Sequence, residues 1–585
     1  MAEYVDGDKK KEILSDEDKL KTCRKWAEGE SNSRLKQEAL WYEIQLYKDG
    51  NHYNIIPTRD RATSSSIKVI PITRKKGEIQ RAFNKFRAML RSLKAAATST
   101  EIRYEVPGGS ESEIIGSNYL NWYSARYDMN ETISDVADYG FTRSVGYFDV
   151  YWDSLKAMPI VEARDPFDLL MDRYGKYARR TYLMRKDDFK ETRDSEGKLM
   201  FEVKKDDTIP TTKKMSSSEI WDNYLTSKYK QRGSDELDDV MVEEFHKLEQ
   251  NDDGSFQVRI ITTVQEAQKI FKEEVYKDDE LRFIPYWPER RPGDIYNEPW
   301  MKDLLDPQKS LDNMYTHFEE FIRTMGKGRY LVRKDQTLDH ITDKDGQRVE
   351  YEGEKPDQLE MGHIGSDQFN FDQKVELMME DVGGLHPSQT RKTETARGIA
   401  YLIAQDETNT TEPSRNLKKS LIKVGKRLLK LANRHMMTTQ DIFWWQDGQR
   451  TQGSVVSPNS PILQGGNPPN GVSLIDNVDY LAVELIPKGA FAALAREEKA
   501  IQLATQGLIQ SPEVAMEMMN IGNVREYVEK EKAFRAEQAQ QEMQKEQMKA
   551  QMNQNQQNQE ENDNIQNQEV LRNTISDLKR DIGVA

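Results

Sequence analysis

Along the first 48 residues, Trp26, Leu35, Leu40, Trp41, Ile44 and Leu46 recur at roughly helical spacing among many charges. That pattern predicts a long charged helix with one buried side. A broken, Ser/Thr-rich stretch follows from Asn51 to Pro71. Between Lys75 and Ala97, Ile79, Phe83, Phe86, Leu90 and Leu93 fall three or four apart, and Arg81, Lys85, Arg87, Arg91 and Lys94 cover the other faces. This predicts a basic amphipathic helix. Pro107-Gly108-Gly109 marks a loop, and residues 111–144 return to a helical pattern. The period then drops to two, so residues 146–153 and 158–166 predict a strand pair. Residues 170–235 read as irregular and highly charged. Residues 240–249 and 256–263, joined by Asn-Asp-Asp-Gly, predict a β-hairpin.

In the second half, residues 284–294 form a proline-bounded loop that opens onto a helix from about Met301 to Thr324, ended by Gly326. Strands at 328–334 and 347–353 with a turn at 343–346 predict a small β insert. A short helix at Phe371–Val382 stops at Gly383-Gly384, a polar loop covers 385–395, and helix returns from Ala396 to Met437 with an interruption near Thr410–Pro413. Its last part carries Arg415, Lys418, Lys419, Lys423, Lys426, Arg427, Lys430 and Arg434, with no acid between Pro413 and Asp441. Lys419, Lys423, Lys426, Lys430 and Arg434 share one face, while Leu417, Leu421, Val424, Leu428 and Leu431 share another. Such a basic face suits either a subunit interface or DNA. Residues 447–472 read as a loop, 478–487 as a strand, and 489–510 and 512–535 as helices. Residues 538–568 are a Gln/Asn-rich low-complexity stretch, and 570–582 an amphipathic turn or two.

Composition narrows the class. The 585 residues carry 85 Lys+Arg against 100 Asp+Glu, a net charge of −15. Phosphate backbones repel such a chain as a whole, so any nucleic-acid contact has to come from local basic patches. No apolar run is long enough to span a membrane, and the charged N-terminus is not expected to be a signal peptide. A single cysteine, Cys23, excludes an internal disulfide and a cysteine-based zinc site, and fits folding in a reducing cytoplasm. The strings that cradle phosphates, elbow a nucleophile or ligate zinc are missing; Gly326-Lys327-Gly328-Arg329 lacks the spacing and hydroxyl of a phosphate loop. The expectation is therefore no enzyme, no catalytic residue, no metal and no cofactor. Trp444-Trp445, Trp287 and Trp300 read as subunit-packing aromatics rather than base-stacking platforms.

The order of elements carries more than any one string. A long helix leads into a β insert, a second helix leads out, and a polar loop precedes a third helix. In this order, and in the strings GYFDVYWD…MPIVEARDPFDLLMD, DIYNEPWMKDLLDPQKSLDNMYTHFEEFIRTMGKGRYLVRKD and TETARGIAYLIAQDETN, the chain resembles the portal proteins of tailed double-stranded-DNA bacteriophages, the head-to-tail connectors. The resemblance covers most of residues 50–500.

It implies an α+β, mostly α fold in a ring oligomer; the N-terminal helical arm at 1–49 lies outside the resemblance. A wing would occupy 50–300, stem helices 301–326 and 368–384, the clip 327–367 and a tunnel loop 385–396. The long helix and the rest of the wing would occupy 397–488, a crown 489–537, and a barrel-like or disordered tail 538–585. The ring would be a homo-oligomer of about twelve copies at the portal vertex of the virion, assembled in the host bacterial cytoplasm, with double-stranded DNA in its channel. Its partners would be the terminase large subunit, a tail adaptor, and the major capsid and scaffold proteins. By the same resemblance, Arg391, Lys392 and Arg397 become candidates for the channel and tunnel loop. Lys327, Arg329, Arg333 and Lys334 become candidates for the docking clip. The alternative is a non-enzymatic scaffold or adaptor without DNA passage.

Overall fold

A computed structural model describes residues 15–55, 70–71, 81–98, 100–106, 111–194, 196–205, 207–210, 239–251, 253–265, 267–325, 330–331, 357–358, 366–384, 396–446, 449–463, 472–475, 478, 480–487 and 567–576. The chain divides into two units, residues 1–443 with 452–486 and residues 444–451 with 487–585. Everything below concerns the first unit unless stated.

Helix α1 (Asp16–Asp49) starts where the Ser15 hydroxyl accepts the Asp18 N–H, with Asp16, Glu17 and Asp18 at the positive end of the helix dipole. It stops at Gly50, whose φ of 86° suits a residue without Cβ. β1 (Asn54–Ile55) pairs with β2 (Ile70–Pro71). Helix α2 (Lys85–Thr98) begins at Lys85 rather than Lys75. Residues 81–84 are not helical, and the Asn84 side chain accepts the Arg87 N–H at 2.7 Å, an N-cap that sets the start. Phe83 lies before this cap and is consequently exposed, whereas Phe86, Leu90 and Leu93 are buried as the pattern predicts; Ile79 lies outside the described residues. β3 (Thr100–Glu105) follows, then α3 (Glu111–Arg126) and α4 (Met129–Arg143), separated by Asp128 with φ 44°.

The expected strand pair is β4 (Gly146–Asp153) and β5 (Met158–Arg164). Two readings of the sequence are corrected next to it. Residues 170–185 are not irregular: β6 (Leu169–Met171) and β7 (Tyr177–Arg185) pair with each other, and α5 (Lys186–Glu191) follows. Their many charges mask a strand in which Arg180 faces Glu244 and Arg185 faces Asp239. The expected hairpin, β8 (Asp239–Gln250) and β9 (Phe256–Val264), is extended by β10 (Lys272–Lys277), giving a five-stranded antiparallel sheet in the order β10-β9-β8-β7-β6. In the stretch read as a proline-bounded loop, β11 (Phe283–Tyr286) pairs with β4, so β4 is the centre of a three-stranded sheet. Pro285 lies within β11, which is an edge strand, where a missing N–H is tolerated.

Alternation along these strands builds the layers. Leu169, Val258 and Ile260 of the larger sheet meet Tyr147, Leu281 and Phe283 in one core. Their neighbours Leu170 and Ile261 face the other way and bury Leu20 and Ala27 of α1. Phe148, Val150 and Ile284 are buried on the smaller sheet, whose strands pack against α4 and the long helix described next.

A 3-10 turn (Trp300–Leu304) runs into α6 (Leu305–Met325), as expected. β12 (Tyr330–Leu331) pairs with β13 (Asp357–Gln358); the predicted strand at 347–353 lies outside the described residues. α7 (Ser366–Gly383) begins five residues before the predicted Phe371 and packs on α6. α8 (Ala396–His435) is continuous, and the interruption expected at 410–413 is absent. Pro413 sits inside it, and the fully apolar stripe of Leu417, Leu421, Val424, Leu428 and Leu431, all buried, carries the helix on. Trp300 packs edge-on against Phe141 within the chain.

Beyond α8, β14 (Gln440–Gln446), β15 (Gln449–Val456), β16 (Val472–Leu474) and β17 (Ala482–Pro487) follow, with β15 parallel to β16 and β17 paired with β3. The stretch read as a loop from 447 thus contains a strand; its Gly, Ser and Gln content hid it. In the second unit, residues 567–576 form helix α9, on which Val570, Leu571 and Ile575 are exposed. The predicted helices at 489–510 and 512–535 and the Gln/Asn-rich stretch up to residue 566 lie outside the described residues.

Candidate functional site

The basic helix α8 is divided by its contacts. Arg427, whose place inside the apolar face gave no hint of function, is its principal anchor. Its Nε donates to the Val150 carbonyl at 2.9 Å, and Nη2 to Asp278 at 3.1 Å. Lys430 joins the same acid at 2.7 Å and also pairs with Asp279, and Arg434 donates to the Lys277 carbonyl at 2.6 Å. The turn after β10 therefore uses up the C-terminal part of the stripe inside one chain. Toward the N-terminus, Arg415, Lys418, Lys419 and Lys423 are exposed, and Lys426 is half-buried. Five cations predicted to share a face thus separate into an outward pair, Lys419 and Lys423, and an anchored pair, Lys430 and Arg434, with Lys426 between.

Helix α6 carries a buried polar stripe instead of an apolar one at Gln308, Asp312 and Thr316, one turn apart. Gln308 accepts the Phe86 N–H and donates to the Phe83 carbonyl, both at 2.8 Å. Asp312 accepts the Phe83 N–H at 3.1 Å, and Thr316 accepts the Arg81 N–H at 3.2 Å. Glu319 completes the row by pairing with the Arg81 guanidinium. The helix repeats every 6 Å or so over four residues, and an extended chain about every 6.6 Å over two. The stripe can therefore satisfy the main chain of residues 81–86 almost as a neighbouring strand would. Asp312 also meets His52 Nδ1 at 2.5 Å, while His52 Nε2 faces the Tyr47 carbonyl at 3.1 Å and its ring stacks on Tyr47. The end of α1 is thereby tied to α6.

A third charged centre lies between the two sheets. Asp149 is fully buried and bound by Arg164 at 3.0 Å and by Arg282 at 2.7 Å. Burial pushes its carboxyl up, but Arg282, Arg180 and Arg164 outweigh it and hold it below the usual range. Glu244 behaves alike: burial raises it, and the His246 ring beside it, Arg180 and Arg282 bring it well below. His246 is pushed down, chiefly by burial.

Of the residues singled out from the sequence, Arg391 and Lys392 and the clip cations Lys327, Arg329, Arg333 and Lys334 lie outside the described residues. Arg397 lies in the first turn of α8. Trp287 Nε1 donates to the Ile295 carbonyl at 2.9 Å, a contact within the chain. Among the described residues no cluster of His, Cys, Asp or Glu could hold a metal ion, and no helix is long and apolar enough to cross a membrane. The polar stripe of α6 escaped the sequence reading because a buried Gln, Asp or Thr resembles an exposed one until its partner is known.

Comparison with known proteins adds one finding. The family model of phage P22-like portal proteins matches residues 115–578, about four fifths of the chain. No curated protein matches it.

Proposed function

We propose, for a chain that belongs to the phage P22-like portal protein family, that it forms a closed ring of about twelve copies at one capsid vertex and encloses the channel for packaging and ejecting double-stranded DNA. The observation that carries this is the family match across residues 115–578. The order of elements supports it: α6 runs into the β12–β13 pair, α7 runs back, and α8 follows. In this reading α6 and α7 are the stem, residues 327–367 the clip that docks the terminase large subunit and later the tail adaptor, and 385–396 the tunnel loop. Arg391, Lys392 and Arg397 face DNA there. The chain works without catalysis, metal or cofactor, and a separate ATPase supplies the force.

The α6 stripe gives the stem a mechanical base. Hydrogen bonds are directional, so Gln308, Asp312 and Thr316 fix the axial register of α6 against residues 81–86 more tightly than an apolar face would. A charge of −15 per chain keeps most of the ring from gripping the duplex, which lets it slide. Negative-stain electron microscopy with native mass spectrometry on the purified chain tests the reading. A ring with an axial hole wide enough for duplex DNA is expected; a compact dimer or a closed cage without a through-channel overturns it.

A further inference from the structure

Among the described residues, no acid pairs with Lys418, Lys419 or Lys423 as Asp278 and Asp279 pair with the C-terminal part of α8, and Arg415 reaches only Glu412, at 3.9 Å. A second element adds to this surface. Asn416 donates to the Pro288 carbonyl at 3.1 Å and Ser420 to the Pro285 carbonyl at 2.9 Å, which pins the loop carrying Arg290 alongside α8. Arg290 and Lys423 then line one cleft of about 700 Å³, with Arg173, Tyr174 and Trp287. The guanidinium of Arg290 lies 5.3 Å over the Trp287 ring, which holds it in place.

The same cleft holds acids: Asp172, Asp279, Glu280 and Asp294, with Glu289 next to Arg290. Two of them are occupied. Asp279 pairs with Lys430, and Asp172 accepts the backbone N–H groups of Lys176 and Tyr177 at 2.7 and 2.9 Å. Along α8 itself the run from Pro413 to Asp441 contains no acid.

We propose that the outward part of α8, with Arg415, Lys418, Lys419 and Lys423, together with Arg290, binds the phosphate backbone of nucleic acid at a place separate from the tunnel loop. The proposal rests on the conduit reading for its biological setting, and its chemistry stands apart from it. Two features favour phosphate over the acidic surface of a neighbouring copy. The helix cations are mostly lysines, which are depleted from the cores of protein interfaces, where Arg is preferred. The three lysines are also exposed and unpaired among the described residues, as suits a contact made and broken with little desolvation. A chain with net charge −15 repels DNA at long range, so such a contact is short-ranged and steeply salt-dependent.

The test compares the wild-type assembly with Arg290→Glu/Lys419→Glu/Lys423→Glu, using fluorescence anisotropy of a labelled DNA duplex over a salt series. Native mass spectrometry and circular dichroism run alongside. The expected result is at least a tenfold loss of affinity at low salt and a shallower plot of log K against log salt, by about 0.9 per lost phosphate contact, with folding and assembly unchanged. Lys430→Gln, which removes an anchored cation, leaves that slope as it was. Unchanged binding in the triple variant overturns the proposal. So does a variant that stops assembling while its copies still bind DNA as wild type does, which assigns the face to the subunit interface. Wild-type protein that binds DNA through these residues but forms no ring sinks the conduit reading and leaves this one standing.

Discussion

The guanidinium of Arg427 lies 3.1 Å from the carboxylate of Asp278, and both side chains are sealed from solvent. One residue of α8 thereby holds the turn after β10 and, through Val150, the centre of the smaller sheet. Removing the acid leaves a buried cation without compensation. Asp278→Ala is expected to destabilise the chain by about 3–5 kcal/mol, read as a lower urea midpoint. Lys419→Ala, on the exposed side of the same helix, is expected to stay within about 0.5 kcal/mol of wild type. Equal effects would show that the pair is not the anchor.

The α6 stripe makes a local prediction. In Gln308→Ala the Phe86 N–H and the Phe83 carbonyl lose Gln308 as a partner, and the buried Phe86 N–H alone costs about 1–3 kcal/mol when orphaned. Hydrogen exchange should quicken at residues 81–86 and stay as it was across β8 and β9. Faster exchange everywhere, or nowhere, would contradict the register role of the stripe.

The charges between the sheets predict an acid limit. Asp149, Glu244 and His246 all have folded-state values below their ordinary ones. Each group therefore binds fewer protons folded than unfolded, and its contribution is complete above the unfolded value and drains as pH falls through the folded one. The His246 contribution should begin to fade below about pH 6.5, and those of the two carboxylates below about pH 4. Thermal melts should show a falling Tm across both windows, with the upper one missing in His246→Phe. A Tm that rises on acidification would refute the assignment.

Two glycines separate by the space around them. A Cβ on Gly146 would be driven into the carbonyl oxygen of Val136, a backbone atom with no room to yield, whereas one on Gly29 of α1 meets nothing within 4 Å. Gly146→Ala should cost about 1–3 kcal/mol or more. Gly29→Ala should gain about 0.5–1 kcal/mol, since alanine is the better helix residue. Differential scanning calorimetry of the two variants checks both signs.

What could be read from the sequence follows from the kind of signal each element carries. Leu417 to Leu431 sit at helical spacing with no competing pattern, and all are buried as predicted. Tyr147 to Asp153 alternate and form β4. Strand β7 escapes the sequence pattern because Arg179, Arg180 and Arg185 look like loop residues until Glu244 and Asp239 appear opposite Arg180 and Arg185. Strand β11 was hidden by Pro285, a residue that an edge strand accepts. The helical period alone starts α2 too early because Phe83 fits it, and only the Asn84 cap ends the ambiguity. At the site, the basic face of α8 was visible as a face, but its division was not. The acids that take up Lys430 lie some 150 residues away in the chain, and nothing in local spacing announces such a partner.

The central claim, that this chain is a conduit for DNA, is tested most directly by an asymmetric cryo-electron-microscopy reconstruction of DNA-filled particles that contain it. The account predicts one ring of this chain at a single vertex, with duplex density along its axis. The chain found at every vertex, or a ring whose axis holds no DNA in filled particles, would contradict it.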